Sequence, residues 1–191
     1  MHDTVSNLVE RIRDLEQELE GEFARRRAAL NYTIEHGRVI FERDVRKHHR
    51  ALRHKLGSYL VHARPLVVLS APVIYSVILP LVLLDVFVTL YQAICFPIYG
   101  IEKVRRRDYI SLDRRHLAYL NGLEKLNCVY CVYCGYGNGL LAYAREIAAR
   151  TERHWCPIKH ADKMQGTHRH YPEFCEYGDA DAYQNRKTPP N

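Results

Sequence analysis

From Leu66 to Ile101 the chain reads LVVLSAPVIYSVILPLVLLDVFVTLYQAICFPIYGI, and Asp85 is its only formal charge. A helix on the surface of a soluble protein keeps one face wet, so an apolar run of this length points to a bilayer as its surroundings. Basic residues flank it on both sides: Arg46, Lys47, Arg50, Arg53, Lys55 and Arg64 upstream, and Lys103, Arg105, Arg106, Arg107, Arg114 and Arg115 downstream. Positive residues are retained on the cytoplasmic side, and balanced flanks therefore favour a membrane hairpin with both ends cytoplasmic. In a hairpin Asp85 falls near the tip, where water reaches it, whereas in one tilted span it sits near mid-bilayer at about 2.5 to 3.5 kcal/mol. Pro72, Pro80 and Pro97 fit broken or kinked arms, since proline removes a backbone donor. A single span with an interfacial second half, or a buried core helix, are the other two arrangements.

The remainder of the 191 residues allows one modest domain with appendages. A net charge of +6 and a pI near 9.0 could signal nucleic acid. The basic residues crowd beside the apolar run, however, so anionic lipid is the expected partner and nucleic acid is not. The first twenty residues are charged and have no basic start followed by an apolar core, which argues against a cleavable signal.

Residues 1–64 carry an eleven-residue repeat: Leu8, Ile12, Leu19, Phe23, Leu30, Ile34, Phe41, Val45, Leu52 and Leu56 are separated alternately by four and seven. At 3.67 residues per turn that stripe keeps to one face of a nearly straight helix. One long amphipathic helix is the expectation. Its polar face is acidic up to Glu22 and basic from Arg25 onward, a division that suits an antiparallel homo-oligomer or a partner helix across residues 8–56 better than adsorption on anionic lipid.

Residues 102–178 read as a small helical domain rich in Cys and His. A helix opens at Ser111, with Leu112, His116, Leu120, Leu123 and Asn127 at helical spacing. Cys128, Cys131 and Cys134 follow, and the glycine-rich GYGNG after them reads as a turn in which Asn138 caps a helix from Leu140 to about His154. Pro157 stops that helix. Residues 179–191 read as a disordered tail.

In a reducing compartment the cysteines favour a metal over disulfides. Cys128, Cys131 and Cys134 with Cys156 have the ligand order of a 4Fe-4S cluster. Two of the three with Cys156 and His160 make a tetrahedral zinc site, the preferred cofactor. Either needs the GYGNG turn fully extended, about 20 Å, to bring both ends of a helix about 21 Å long to one ion. Cys156, His160, His168, His170 and Cys175 offer a local zinc site instead, and the first three cysteines then pack as small apolar contacts.

The phrase LNCVYCVYCGYGNGLLAYAREIAARTERHWCPIKH resembles an uncharacterised bacterial membrane-associated family with a C-x-x-C…W-C-P-x-x-H pattern, covering about Asp113 to Ala161. This chain carries the Cys-Val-Tyr triplet twice where the family has one C-x-x-C. The resemblance implies a bacterial inner membrane and no particular activity. Without a phosphate loop or a Ser/His/Asp set, the residues favour a non-enzymatic, membrane-anchored scaffold with a zinc domain facing the cytoplasm. A membrane-bound iron–sulfur electron carrier is the alternative.

Overall fold

The computed structural model describes residues 2–29, 32–35, 38–52, 64–112 and 124–187. The protein is mainly helical, as expected: α1 (His2–Ala28), β1 (Tyr32–Glu35), β2 (Arg38–Phe41), α2 (Arg43–Ala51), α3 (Pro65–Ser76), α4 (Ile78–Tyr99), α5 (Glu124–Trp155) and α6 (Ala180–Lys187), with 3-10 turns at Arg106–Asp108 and Tyr171–Glu173. The chain forms two compact units, residues 1–81 with 110–139 and residues 82–109 with 140–191.

In the first unit the single long helix expected over residues 1–64 is not formed. Helix α1 ends at Ala28, and YTIE pairs antiparallel with RVIF in a register that sets Tyr32 against Phe41 and Glu35 against Arg38. The reason is local chemistry. Both segments are rich in β-branched and aromatic residues, whose restricted side chains favour a pleated strand over a helix. Leu30 and Leu56 lie outside the described residues, so four repeat positions, Leu8, Ile12, Leu19 and Phe23, remain on one helix. All four are 44 to 56 % exposed. Val5 and Leu15 join them, and the spacing from Val5 to Leu19 becomes three and four, the seam of a coiled coil.

The reversal expected near Asp85 does not occur, because α4 stays helical through that residue. The break comes earlier, at Val77, whose N–H turns to the Ile74 carbonyl at 3.4 Å. Pro80 accounts for it: its ring crowds the carbonyl four residues back and it offers no N–H there.

Helix α5 also departs from expectation. Residues 135–139 are helical, so GYGNG is no turn, and Asn138 donates to the Cys134 carbonyl at 2.9 Å instead of capping a new helix. Interior glycine costs a helix about 1 kcal/mol relative to alanine. Close packing offsets it at Gly137, where a Cβ would stand 3.2 Å from Leu81 Cδ1. Tyr75 and Tyr133 meet edge to face with ring centroids 6.1 Å apart. The helix ends at Trp155, two residues short of Pro157, as expected. Ser111 and Leu112 are not helical, and the rest of the helix expected to open there, residues 113–123, lies outside the described residues.

The second unit is built on a chain reversal. Helix α4 closes with Gly100 at φ 69°, Gly100 N–H bonded to the Pro97 carbonyl (3.4 Å) and Ile101 N–H to the Phe96 carbonyl (2.9 Å). This is the two-bond glycine cap that redirects a chain past a helix end. Residues 101–109 then run back along α4 as a strap. The buried Gln92 amide holds it: Oε1 accepts the Val104 N–H at 3.0 Å, and Nε2 donates to the Val104 carbonyl at 3.4 Å and to the Tyr143 hydroxyl. Phe96, Val104, Leu140, Tyr143, Ile147 and Phe174 form the core around this clasp.

Beyond α5, Ile158 and Cys175 form a parallel bridge, with Cys175 N–H on the Pro157 carbonyl at 2.9 Å. The tail expected to be disordered contains α6. Asp179 caps it through Oδ1 to the Ala182 N–H at 2.9 Å, and Arg186 reaches the Glu173 carbonyl at 2.7 Å.

Two substitutions test the strap. Gln92→Leu orphans the buried Val104 N–H and is expected to cost about 2 kcal/mol of unfolding free energy, and Gly100→Ala about 1 to 2 kcal/mol through its left-handed backbone. Denaturant unfolding of the full-length protein measures both.

Candidate functional site

Along the apolar helix, burial alternates by face. Ala71, Ile74, Ile78 and Leu81 in the first unit, and Asp85, Val88, Gln92, Cys95 and Tyr99 in the second, are buried or half-buried at steps of three and four. Leu83, Phe87, Leu90, Ile94 and Ile98 lie on the opposite face of α4 and are 52 to 72 % exposed. A soluble helix shows the reverse, with charge on its open face. Among the described residues, Val68–Tyr99, which runs through α3 and α4, is the one helical stretch long and apolar enough to cross a membrane, and its apolar window contains no buried residue.

The covered face of α4 is where its polar groups are collected. Asp85 accepts from Arg106 Nη2 at Oδ2 (2.6 Å) and from Arg106 Nε at Oδ1 (3.3 Å), and Thr89 Oγ1 lies 3.3 Å from Oδ1. The Asp85 side chain is 16 % exposed, so the charge within the apolar run is neutralised by a two-pronged arginine. Arg106 reaches it because the strap returns over the stretch from Tyr99 to Asp85, about 21 Å of helix. Lys103, Arg105 and Arg107 are carried along that stretch and are exposed. Placing these three at mid-bilayer would cost about 3 kcal/mol each on insertion scales. Asp85, Thr89 and Gln92, the polar side chains of the run's second half, fall on one face at steps of four and three. That spacing is a sequence-level mark of a protein-facing side, and periodicity read for apolar residues alone misses it.

On α5 a second polar node fastens the C-terminal segment. Glu146 is buried, and accepts from Arg150 Nε at 2.9 Å, from Arg169 and from His170 Nε2 at 3.3 Å. Burial pushes its carboxyl up, but the donors from Arg150, Arg169 and His170 outweigh that and hold it below its ordinary value of 4.5. With its charge met by these donors, the carboxylate is ionised at neutral pH. Next to it Glu152 Oε2 pairs with His168 Nε2 at 2.9 Å, and Arg150 reaches the strap at the Glu102 carbonyl, 2.6 Å away. Arg145 donates to the carbonyls of Gly166 and Thr167. The node therefore joins helix, strap and tail loop. Tyr109 sits above Tyr143, its phenol pushed up by burial and by the Glu146 charge.

The residues expected to ligate a metal are distributed as follows. Cys128 and Cys131 lie on α5, and their side chains are outside the description. Cys134 is half-buried on the same helix, Cys156 is exposed just past its end, and Cys175 is half-buried at the Ile158 bridge; all three are free thiols. A continuous α5 lacks the reversal that a site shared by Cys134 and Cys156 requires. The local set fares differently: the bridge draws Cys175 to the strand that follows Cys156, and Tyr171 Oη accepts the His160 N–H at 2.8 Å. Yet His168 and His170 face Glu152 and Glu146. Among the described residues no three His, Cys, Asp or Glu side chains converge to hold an ion.

The Glu146 node gives a pH signature. A carboxyl depressed in the fold adds stability that is fully present above its unfolded value and is lost as pH falls through the lower folded value. Acid unfolding below about pH 4.5 is thus expected to weaken in its pH dependence in Glu146→Gln, which at neutral pH should itself cost about 2 kcal/mol by stripping Arg150 and Arg169 of their acceptor. Denaturant titrations at stepped pH measure both slopes.

Set beside known proteins, the chain matches no protein-family model, and neither a curated protein nor a solved structure shows significant similarity to it.

Proposed function

We propose that the protein is a non-enzymatic, membrane-anchored scaffold that displays a self-associating helix. The observation that carries this reading is the open face of α4, where large apolar side chains stand exposed along a helix whose other face is already occupied. Lipid containing anionic headgroups suits both that face and the basic residues at its end. The soluble parts then lie against the cytoplasmic leaflet of a bacterial inner membrane.

Helix α1 supplies the association. Its stripe of Val5, Leu8, Ile12, Leu15 and Leu19 is narrow and exposed, the width of a two-helix seam and not of a core-facing side. A second copy of α1 covers it. Acidic residues up to Glu22 and the basic last turn, Arg25, Arg26 and Arg27, complement each other in an antiparallel pair. Zinc has less support than the scaffold: His168 and His170 already bond carboxylates, which a metal would have to displace.

Two measurements test this function. The full-length chain is expected to stay with membranes through alkaline carbonate and to leave them in detergent; release by carbonate alone overturns the anchor. In detergent, light scattering should report an oligomer that Ile12→Glu with Leu19→Glu converts to monomer, losing about tenfold or more in association. An unchanged mass overturns the role of α1.

A further inference from the structure

The apolar run looks uniform in sequence, but the second unit treats its last part as a protein element. From Asp85 to Tyr99 the helix carries the strap on its covered side, with Val104 bonded to Gln92 and Arg106 to Asp85. Exposed Lys103 and Arg105 travel with the strap. Helix α5 shares the same side: Tyr91 Oη lies 3.0 Å from Thr151 Oγ1, and Tyr99 stacks on His154 with centroids 5.8 Å apart. A segment flanked by so many solvated charges cannot sit at the depth of hydrocarbon.

We infer that the bilayer-embedded part of the run ends at the Val77 break, and that α4 lies along the headgroup boundary, docked on lipid through Val86, Phe87, Leu90, Ile94 and Ile98. This rests on the membrane anchor proposed above and adds where the anchor stops. Lipid is the occupant for two reasons. From Val82 to Ile98 the open face of α4 carries only apolar side chains, and the strap places basic groups beside it, the complement of an anionic headgroup layer. An amphipathic helix at that boundary buries its apolar side only several ångströms, which leaves the strap in water. The Asp85–Arg106 pair is then the depth stop: Arg106 cannot follow Asp85 deeper without taking the strap with it.

Depth-dependent quenching tests this in the full-length chain. An environment-sensitive fluorescent amino acid is placed at Val73, Phe87 or Ile94, and the protein is reconstituted in phosphatidylcholine–phosphatidylglycerol vesicles whose lipid is brominated near the headgroup or near the chain end. Val73 should be quenched more by the deep bromines. Phe87 and Ile94 should be quenched at least about twofold more by the shallow ones. Deep quenching at Phe87 and Ile94 overturns the inference in favour of a span through Tyr99. Quenching at Val73 with none at Phe87 and Ile94 overturns it in favour of a protein cover. No quenching at any position overturns the anchor itself, a separate failure. In Lys103→Glu with Arg105→Glu, shallow quenching at Ile94 should fall in anionic vesicles while Val73 is unchanged; persistence of the full Ile94 signal counts against the basic strap as a lipid contact.

Discussion

Everything in the second unit depends on one helix meeting two surroundings at once. Helix α4 gives its polar groups to protein and leaves its large aliphatic groups exposed, and a few residues keep the two sides distinct. Gln92 does most of this. Its amide offers an acceptor and a donor in the arrangement of a peptide, so the strap pairs with a side chain as it would with a neighbouring strand. Without it the Val104 N–H and carbonyl would be buried unpaired. Asp85 and Arg106 repeat the principle with charges, and Gly100 supplies the left-handed corner that lets the chain return.

The same economy governs the C-terminal segment. It has few apolar residues, and burial of Phe174 alone could not order it. Glu146 acts as a hub instead, collecting donors from α5 and from the tail, and Glu152 holds His168 in the same way. A buried carboxylate is costly to desolvate, so its worth lies in specifying one arrangement, with Glu146 Oε1 gathering the donors of Arg150, Arg169 and His170. The histidines that looked like ligands in sequence serve this network.

How much of this was legible in the sequence follows from which signals are local. The apolar run is self-evident from composition, and the stop before Pro157 from backbone chemistry. The N-terminal repeat misled because apolar spacing says nothing about backbone preference: Ile34 and Phe41 satisfy an eleven-residue stripe and equally a hairpin, and the β-branched residues around His36 and Gly37 favour the second. GYGNG misled in the opposite direction. Glycine punctuation is a weak local penalty, and Leu81 approaching Gly137 is a tertiary gain no local pattern reveals. The strap could not be read at all, since residue pairs such as Asp85 with Arg106 are brought together only by the reversal at Gly100.

On this reading the uncovered side of α4 faces lipid and the covered side does not. A carbene reagent that partitions into the bilayer, activated in membranes holding the full-length protein and mapped residue by residue by mass spectrometry, tests it most directly. Adducts are expected on Leu83, Phe87, Leu90, Ile94 and Ile98, with Val88, Gln92 and Phe96 spared. Equal labelling around the whole helix, or none on the first set, would contradict it.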